Sequence, residues 1–182
     1  MTMIDDATFP ETGSVRFERI LNAPVERVWD YLTVPDLRQT WLGGGSIELV
    51  PGGHATLLYD NANLTDEPMP ADDDAFEPHV EESTVIAVDP PHLLSYTWGE
   101  WFGQNCVVSY ELEPDGDKTR LVLTHSRVAT VELSLDVARG WHVQLDALAA
   151  RIDGTPLPHL WQRFDEVGKH YATLIDASAP AS

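Results

Sequence analysis

The stretch TRLVLTHSRVATVELSLDVARGWHVQLDALAARIDG, residues 119–154, changes its hydrophobic period once. Over 119–128 the period is two: Leu121, Leu123 and His125 share one face, and Val122, Thr124 and Ser126 share the other. That alternation predicts a β-strand whose apolar row ends in a histidine. Beyond it Leu133, Val137, Trp141, Leu145, Leu148 and Ile152 recur every three to four residues, an apolar helical stripe ended by Gly154 and Pro156. A second stripe follows, with Leu160, Phe164, Val167, Tyr171 and Leu174. Helices of this kind must cover something, and a sheet is the large partner available.

Upstream, the chain supplies that sheet. SVRFERILN (14–22) alternates as a first strand, and APVERVWDYL (23–32) switches to helical spacing through Val25, Val28, Trp29 and Leu32. Pro24 suits a first helical turn, where its missing N–H is no loss. A short Pro-Asp segment from 35 ends at TWLGGG, where Gly43–Gly45 break the chain. SIELV (46–50) and HATLLYD (54–60) flank a Pro-Gly-Gly turn and read as a hairpin. HVEESTVIAVD (79–89), HLLSYTW (92–98) and NCVVSYELE (105–113) lead to the 119–128 strand. Seven short strands joined by tight turns predict an antiparallel meander.

Three segments fall outside this pattern. Residues 1–13 read as a loose leader, and residues 155–182 as a C-terminal helical extension. The insert NANLTDEPMPADDDAFEP (61–78) holds three prolines, six acids and no base, and is too long for a hairpin turn. It reads as a lid or loop between two strands. Asp72, Asp73 and Asp74 lack EF-hand spacing, so a solvated charge run is expected there rather than a metal site.

Thirty acidic and eleven basic residues give a net charge of −19. From Gln39 to Asp117 there are sixteen acids and no Lys or Arg. Such a surface repels nucleic-acid phosphates and anionic lipid, so neither partner is expected. A basic protein partner stays open. Cys106 stands alone, so no intrachain disulfide forms. The N-terminus lacks a basic start and an apolar run, and no stretch reaches the roughly 20 apolar residues of a membrane span. A cytoplasmic location is the expectation.

No Gly-x-Ser-x-Gly elbow, His-x-x-x-His or Cys-x-x-Cys pair occurs, and His79, His92 and His142 lack metal-ligand spacing. Gly43–Gly45 lack the residues of a phosphate loop. No metal or cofactor is therefore expected. Cys106 sits in an apolar strand pattern that disfavours a thiolate. That leaves His125 as the weak catalytic candidate.

Four segments, in this order, resemble the START-like (SRPBCC) superfamily, in the subgroup named after the activator of heat-shock-protein-90 ATPase (AHSA-type). They are VRFERILNAPVERVWDYLTVPDLRQTWL (15–42), VIAVDPPHLLSYTW (85–98), YELEPDGDKTRLVLTHSRV (110–128) and RGWHVQLDALAARIDG (139–154). The resemblance implies an α+β helix-grip fold over 14–154, a curved antiparallel sheet of about six to seven strands around a long C-terminal helix. It also implies a cavity between them that holds a small hydrophobic or amphipathic ligand. The inward rows would then supply its lining: Leu57, Tyr59, Tyr96, Trp98, Val108, Tyr110, Leu123 and His125, with Trp141 and Leu145 from the helix. Trp41 and Trp101 would sit at the mouth. His125 would be a polar tip bonded to Tyr110 or Tyr96. The extension past Pro156 either caps the cavity or builds a homodimer contact.

On these grounds the leading expectation is a non-enzymatic binding protein. A cyclase-, aromatase- or hydrolase-like enzyme using the same cavity comes second, and a co-chaperone or regulatory interaction module third.

Overall fold

Among the described residues six strands build the sheet, in the order β1-β6-β5-β4-β3-β2, every pairing antiparallel. They are β1 (Ser14–Leu21), β2 (His54–Tyr59), β3 (His79–Asp89), β4 (Leu93–Thr97), β5 (Val107–Asp115) and β6 (Lys118–Ser126). The computed structural model describes residues 6–61, 64–65, 67, 78–157 and 159–176. Most of the 61–78 insert, including Asp72–Asp74, lies outside them, as do residues 1–5 and 177–182. The meander expected from the turns runs from β2 to β6. β1 departs from it, pairing with β6 because helices α1 (Val25–Thr33) and α2 (Pro35–Arg38) carry the chain across to the other edge.

SIELV is not a seventh strand. Gly44 and Ile47 make only isolated bridges to Leu58 and Ala55 on the edge strand β2. Arg38 explains the irregular backbone. Its guanidinium is almost fully buried and donates to the carbonyl oxygens of Gly43 (2.9 Å), Gly44 (2.6 Å) and Gly45 (2.8 Å). The carbonyls of Gly43 and Gly45 turn to this side chain, while that of Gly44 also accepts from the Leu58 N–H at 3.2 Å, so the segment meets β2 only intermittently. Gly45, at φ +84°, also approaches the Thr56 carbonyl so closely that a Cβ would lie 2.0 Å from its oxygen.

The sheet's inner face is one continuous row after another. Register places Val15, His125, Val108, Tyr96 and Val85 across five strands, with Phe17, Leu123, Tyr110 and Leu94 in the adjoining row. A shift of register between Val85 and Ala87 bends β3, the way a bulge curves a sheet. Helix α3 (Val131–Asp153) lies in that curve. The Thr130 hydroxyl caps it by accepting from the Leu133 N–H, and Gly154, at φ +64°, ends it in the left-handed conformation. This is the α+β helix-grip arrangement.

α3 buries more than one stripe because it is covered twice. Val137, Trp141, Leu145 and Leu148 belong to the buried core, while His142 is buried beside helix α4 (Leu160–Asp176). Arg163 of α4 donates to Asp146 (2.8 Å) and to His142 Nε2 (3.1 Å). An arginine only donates, so His142 carries its proton on Nδ1 and gives it to the Tyr171 hydroxyl at 2.8 Å. That hydroxyl also accepts from the Ala7 N–H at 2.9 Å. The end of the leader is therefore tied down: Ala7 is held by α4, and Thr8 exchanges two backbone hydrogen bonds with Arg16.

Candidate cleft between sheet and helices

Where α3 and α4 meet the β2–β4 side of the sheet, they leave a half-open cleft of about 700 Å³. Its walls are rich in aromatic side chains: Tyr59, Trp98, Trp101, Phe102 and Trp141, with Trp161 and Phe164 from α4. Trp98 is the hub. It follows β4 on the same face as Tyr96, and its ring centroid lies 5.0 Å from Trp141, 5.6 Å from Tyr59 and 5.7 Å from His125. Such a surface offers large apolar area with few rotors to immobilise.

Of the twelve residues expected to line a cavity, the cleft brings together Tyr59, Trp98, Trp101, His125 and Trp141. Leu57, Tyr96, Val108, Tyr110, Leu123 and Leu145 are fully buried core and do not reach its surface. Trp41 is not at the mouth. It is 0% exposed, and its indole N–H donates to the Tyr31 carbonyl at 2.9 Å, under α1. Trp101, 78% exposed on the 3-10 turn Glu100–Phe102, does stand at the cleft's rim.

His125 does not bond either tyrosine. Tyr96 and Tyr110 join their hydroxyls to each other at 2.9 Å, in a setting so dry that burial pushes the pKa of Tyr96 up to about 12 and that of Tyr110 well above its ordinary value. His125 instead accepts at Nδ1 from the Trp141 indole at 3.0 Å. It is 1% exposed, burial holds its pKa down to about 3, and its Nε2 has no partner among the described residues. A ring that resists protonation and has Nδ1 occupied is a poor general base. Cys106 is equally quiet: burial pushes its thiol up, and Sγ donates to the Arg127 carbonyl at 3.3 Å.

Sequence reading missed Glu81. The β3 run His79–Asp89 places Glu81 and Ser83 beside Val85 on the buried face and leaves Val80 and Ile86 exposed, so hydropathy alone does not mark Glu81 as inward. Glu81 is 9% exposed and lines the cleft. Burial raises its pKa, opposed by His79 and by a hydrogen bond from the Gly99 backbone. Gly99 makes room for it: a Cβ there would lie 2.5 Å from Glu81 Oε1. The extension past Pro156, expected either to cap the cavity or to build a dimer contact, supplies α4, which lines the cleft with Leu160, Trp161 and Phe164; Trp161 was not among the residues singled out. Arg139 of α3 holds α4 by donating to the Phe164 carbonyl at 3.0 Å, with its guanidinium 3.5 Å from that residue's ring centroid.

Glu67, in the described part of the insert, accepts from the Trp161 N–H at the start of α4 and pairs with His159, both at 3.1 Å. Among the described residues no cluster of three or more His, Cys, Asp or Glu could hold a metal ion, and no helix is long and apolar enough to cross a membrane.

The comparisons agree with this geometry. A Bordetella parapertussis protein solved by NMR superposes with a TM-score of 0.80 at 38% identity, covering 91% of this chain and 87% of that one. CalU16 from Micromonospora echinospora shares the fold with a TM-score of 0.66 at 22% identity, covering 94% of this chain and 95% of its own. DynU16, of the dynemicin biosynthetic locus, does so at 0.65 and 20% identity, covering 82% of this chain and 51% of its own. No curated protein matches the sequence. Residues 22–153 match the family described as Activator of Hsp90 ATPase homolog 1-like protein, and the match runs from the end of β1 to the last turn of α3. The chain is a START-like domain and belongs to that family.

Proposed function

We propose that this START-like domain binds a small hydrophobic or amphipathic molecule in the cleft between β2–β4, α3 and α4. The observation that carries the reading is a half-open space of about 700 Å³ with aromatic side chains in its walls and a buried imidazole whose Nε2 has no partner among the described residues. Apolar contact supplies most of the affinity, at about 25 cal/mol per Å² before ordering costs. Four of the six tryptophans (Trp98, Trp101, Trp141 and Trp161) line the cleft, so intrinsic fluorescence reports on its occupancy. Titration with a panel of apolar aromatic compounds is expected to quench or shift the emission saturably. Emission unchanged across the panel would count against the reading.

A second reading, an enzyme working in the same cleft, draws support from Glu81 rather than His125. A carboxyl whose pKa burial has raised is the group there best able to move a proton. Turnover of a bound compound that is lost in Glu81→Gln, with binding retained, would favour this reading over a carrier.

A further inference from the structure

The hydrogen bonds around His125 narrow the chemistry of the occupant. An indole nitrogen only donates, so His125 Nδ1 must be the acceptor of the 3.0 Å bond from Trp141. In a neutral imidazole the proton then sits on Nε2. The ring is neutral because burial holds its pKa far below the ordinary value, at about 3. His125 is therefore a donor of fixed polarity, and its Nε2–H is buried with no partner among the described residues. A buried donor in that state carries a desolvation penalty that an incoming acceptor removes.

Charge acts in the same direction. Glu81 and Asp136 put two carboxyls on the cleft lining, and Glu81 Oε1 has no hydrogen-bond partner among the described residues. The guanidinium on that lining, Arg139, is already held by the Phe164 carbonyl and ring and lies 3.9 Å from Asp165. An anion entering the cleft would meet carboxyls and a committed cation.

We propose that the occupant is an uncharged, ring-containing molecule that presents a hydrogen-bond acceptor to His125 Nε2–H, and that the cleft rejects carboxylates and sulfonates. The acceptor is a carbonyl or ether oxygen or an unprotonated ring nitrogen. This inference rests on the small-molecule reading above.

Two dyes test it. Nile red is uncharged and polycyclic and carries a ring carbonyl, whereas 1-anilinonaphthalene-8-sulfonate is aromatic and anionic. Fluorescence titrations of the full chain are run at about 0.5 M salt, which screens distant surface charge but not groups within the cleft. Nile red is expected to bind saturably, with affinity falling about tenfold in His125→Phe, one hydrogen bond's worth. The sulfonate is expected to bind at least about tenfold more weakly than Nile red. Equal affinity for the two dyes, or Nile red binding unchanged in a folded His125→Phe, overturns the proposal. Binding of neither dye, with no response in the tryptophan titration, overturns the small-molecule reading itself. If His125→Phe does not fold, ¹⁵N NMR of the wild-type histidines decides instead. The expected result is a proton on His125 Nε2 that shifts when Nile red is added. A proton on Nδ1, or no shift at saturating dye, contradicts the assignment.

Discussion

Trp141 on α3 donates its indole N–H to His125 Nδ1 on β6, and this 3.0 Å bond joins helix to sheet at the inner wall of the cleft. The burial of His125 also sets how the fold responds to acid. Burial keeps the folded imidazole unprotonated down to about pH 3, while in the unfolded chain it takes up a proton near its ordinary 6.5. Below that value the unfolded state binds more protons, so stability rises with pH across this window and is complete above it. His142, held down to about 4 mainly by burial, adds to the same slope. Urea unfolding at pH 7 and pH 5 is expected to show a loss approaching about 1.4 kcal/mol per pH unit from His125 alone. His125→Phe should flatten the dependence without abolishing it, and an unchanged slope would contradict this account.

Arg38 gives a second expectation. Its guanidinium closes the Gly43–Gly45 segment with three carbonyl bonds from a buried position. Arg38→Met keeps the stem but removes all three bonds, leaving the Gly44 carbonyl only its bond from the Leu58 N–H, and is expected to destabilise the fold by roughly 2–4 kcal/mol. Arg38→Lys should recover only part of this, because an ammonium does not reproduce the guanidinium fork. Chemical denaturation of the two variants measures both effects.

Much of the fold was legible because it is written in periodicity. The switch from period two to helical spacing between Ser126 and Leu133 fixed a strand followed by a long helix, and Gly154 marked that helix's end. The segment 46–50 misled because Ile47 and Leu49 alternate like a strand. Its pairing with β2 is confined to isolated bridges, next to the Gly43–Gly45 carbonyls taken by Arg38, whose burial no local pattern reveals.

The cleft was less legible, since alternation shows that a residue faces inward without separating core from wall. Tyr96 and Trp98 share a face, yet only Trp98, beyond the end of β4, reaches open space. Glu81 was hidden by its polarity, and Trp41 was misplaced because nothing in the sequence shows which elements pack over it.

Glu81 and Gly99 make a close-packed pair with opposite responses to substitution. Gly99→Ala would drive a methyl into the Glu81 carboxyl, and is expected to destabilise by about 1–3 kcal/mol. Glu81→Gln acts through charge. The folded carboxyl's raised pKa means that wild-type stability from this group is full at low pH and lost as pH rises through the folded value. The variant should therefore gain on wild type between pH 5 and pH 8 in parallel thermal melts. A widening deficit with rising pH would refute that sign.

Two tryptophans separate wall from core. Trp41→Ala removes a fully buried indole and its bond to the Tyr31 carbonyl, and is expected to lose about 3–5 kcal/mol of stability. The milder Trp41→Phe should leave probe binding intact. Trp101→Ala, at an exposed rim position, should change stability by less than about 0.5 kcal/mol while weakening probe binding. The reverse pattern would place the ligand elsewhere.

The most direct test of the central claim is native mass spectrometry of freshly purified protein, set against the same sample denatured. The account expects an added small-molecule mass in the native spectrum that is released on denaturation, lies outside the carboxylate and sulfonate classes, and is lost from protein carrying His125→Phe. A bare protein mass, with no uptake of Nile red or of any compound in the aromatic panel, would contradict it.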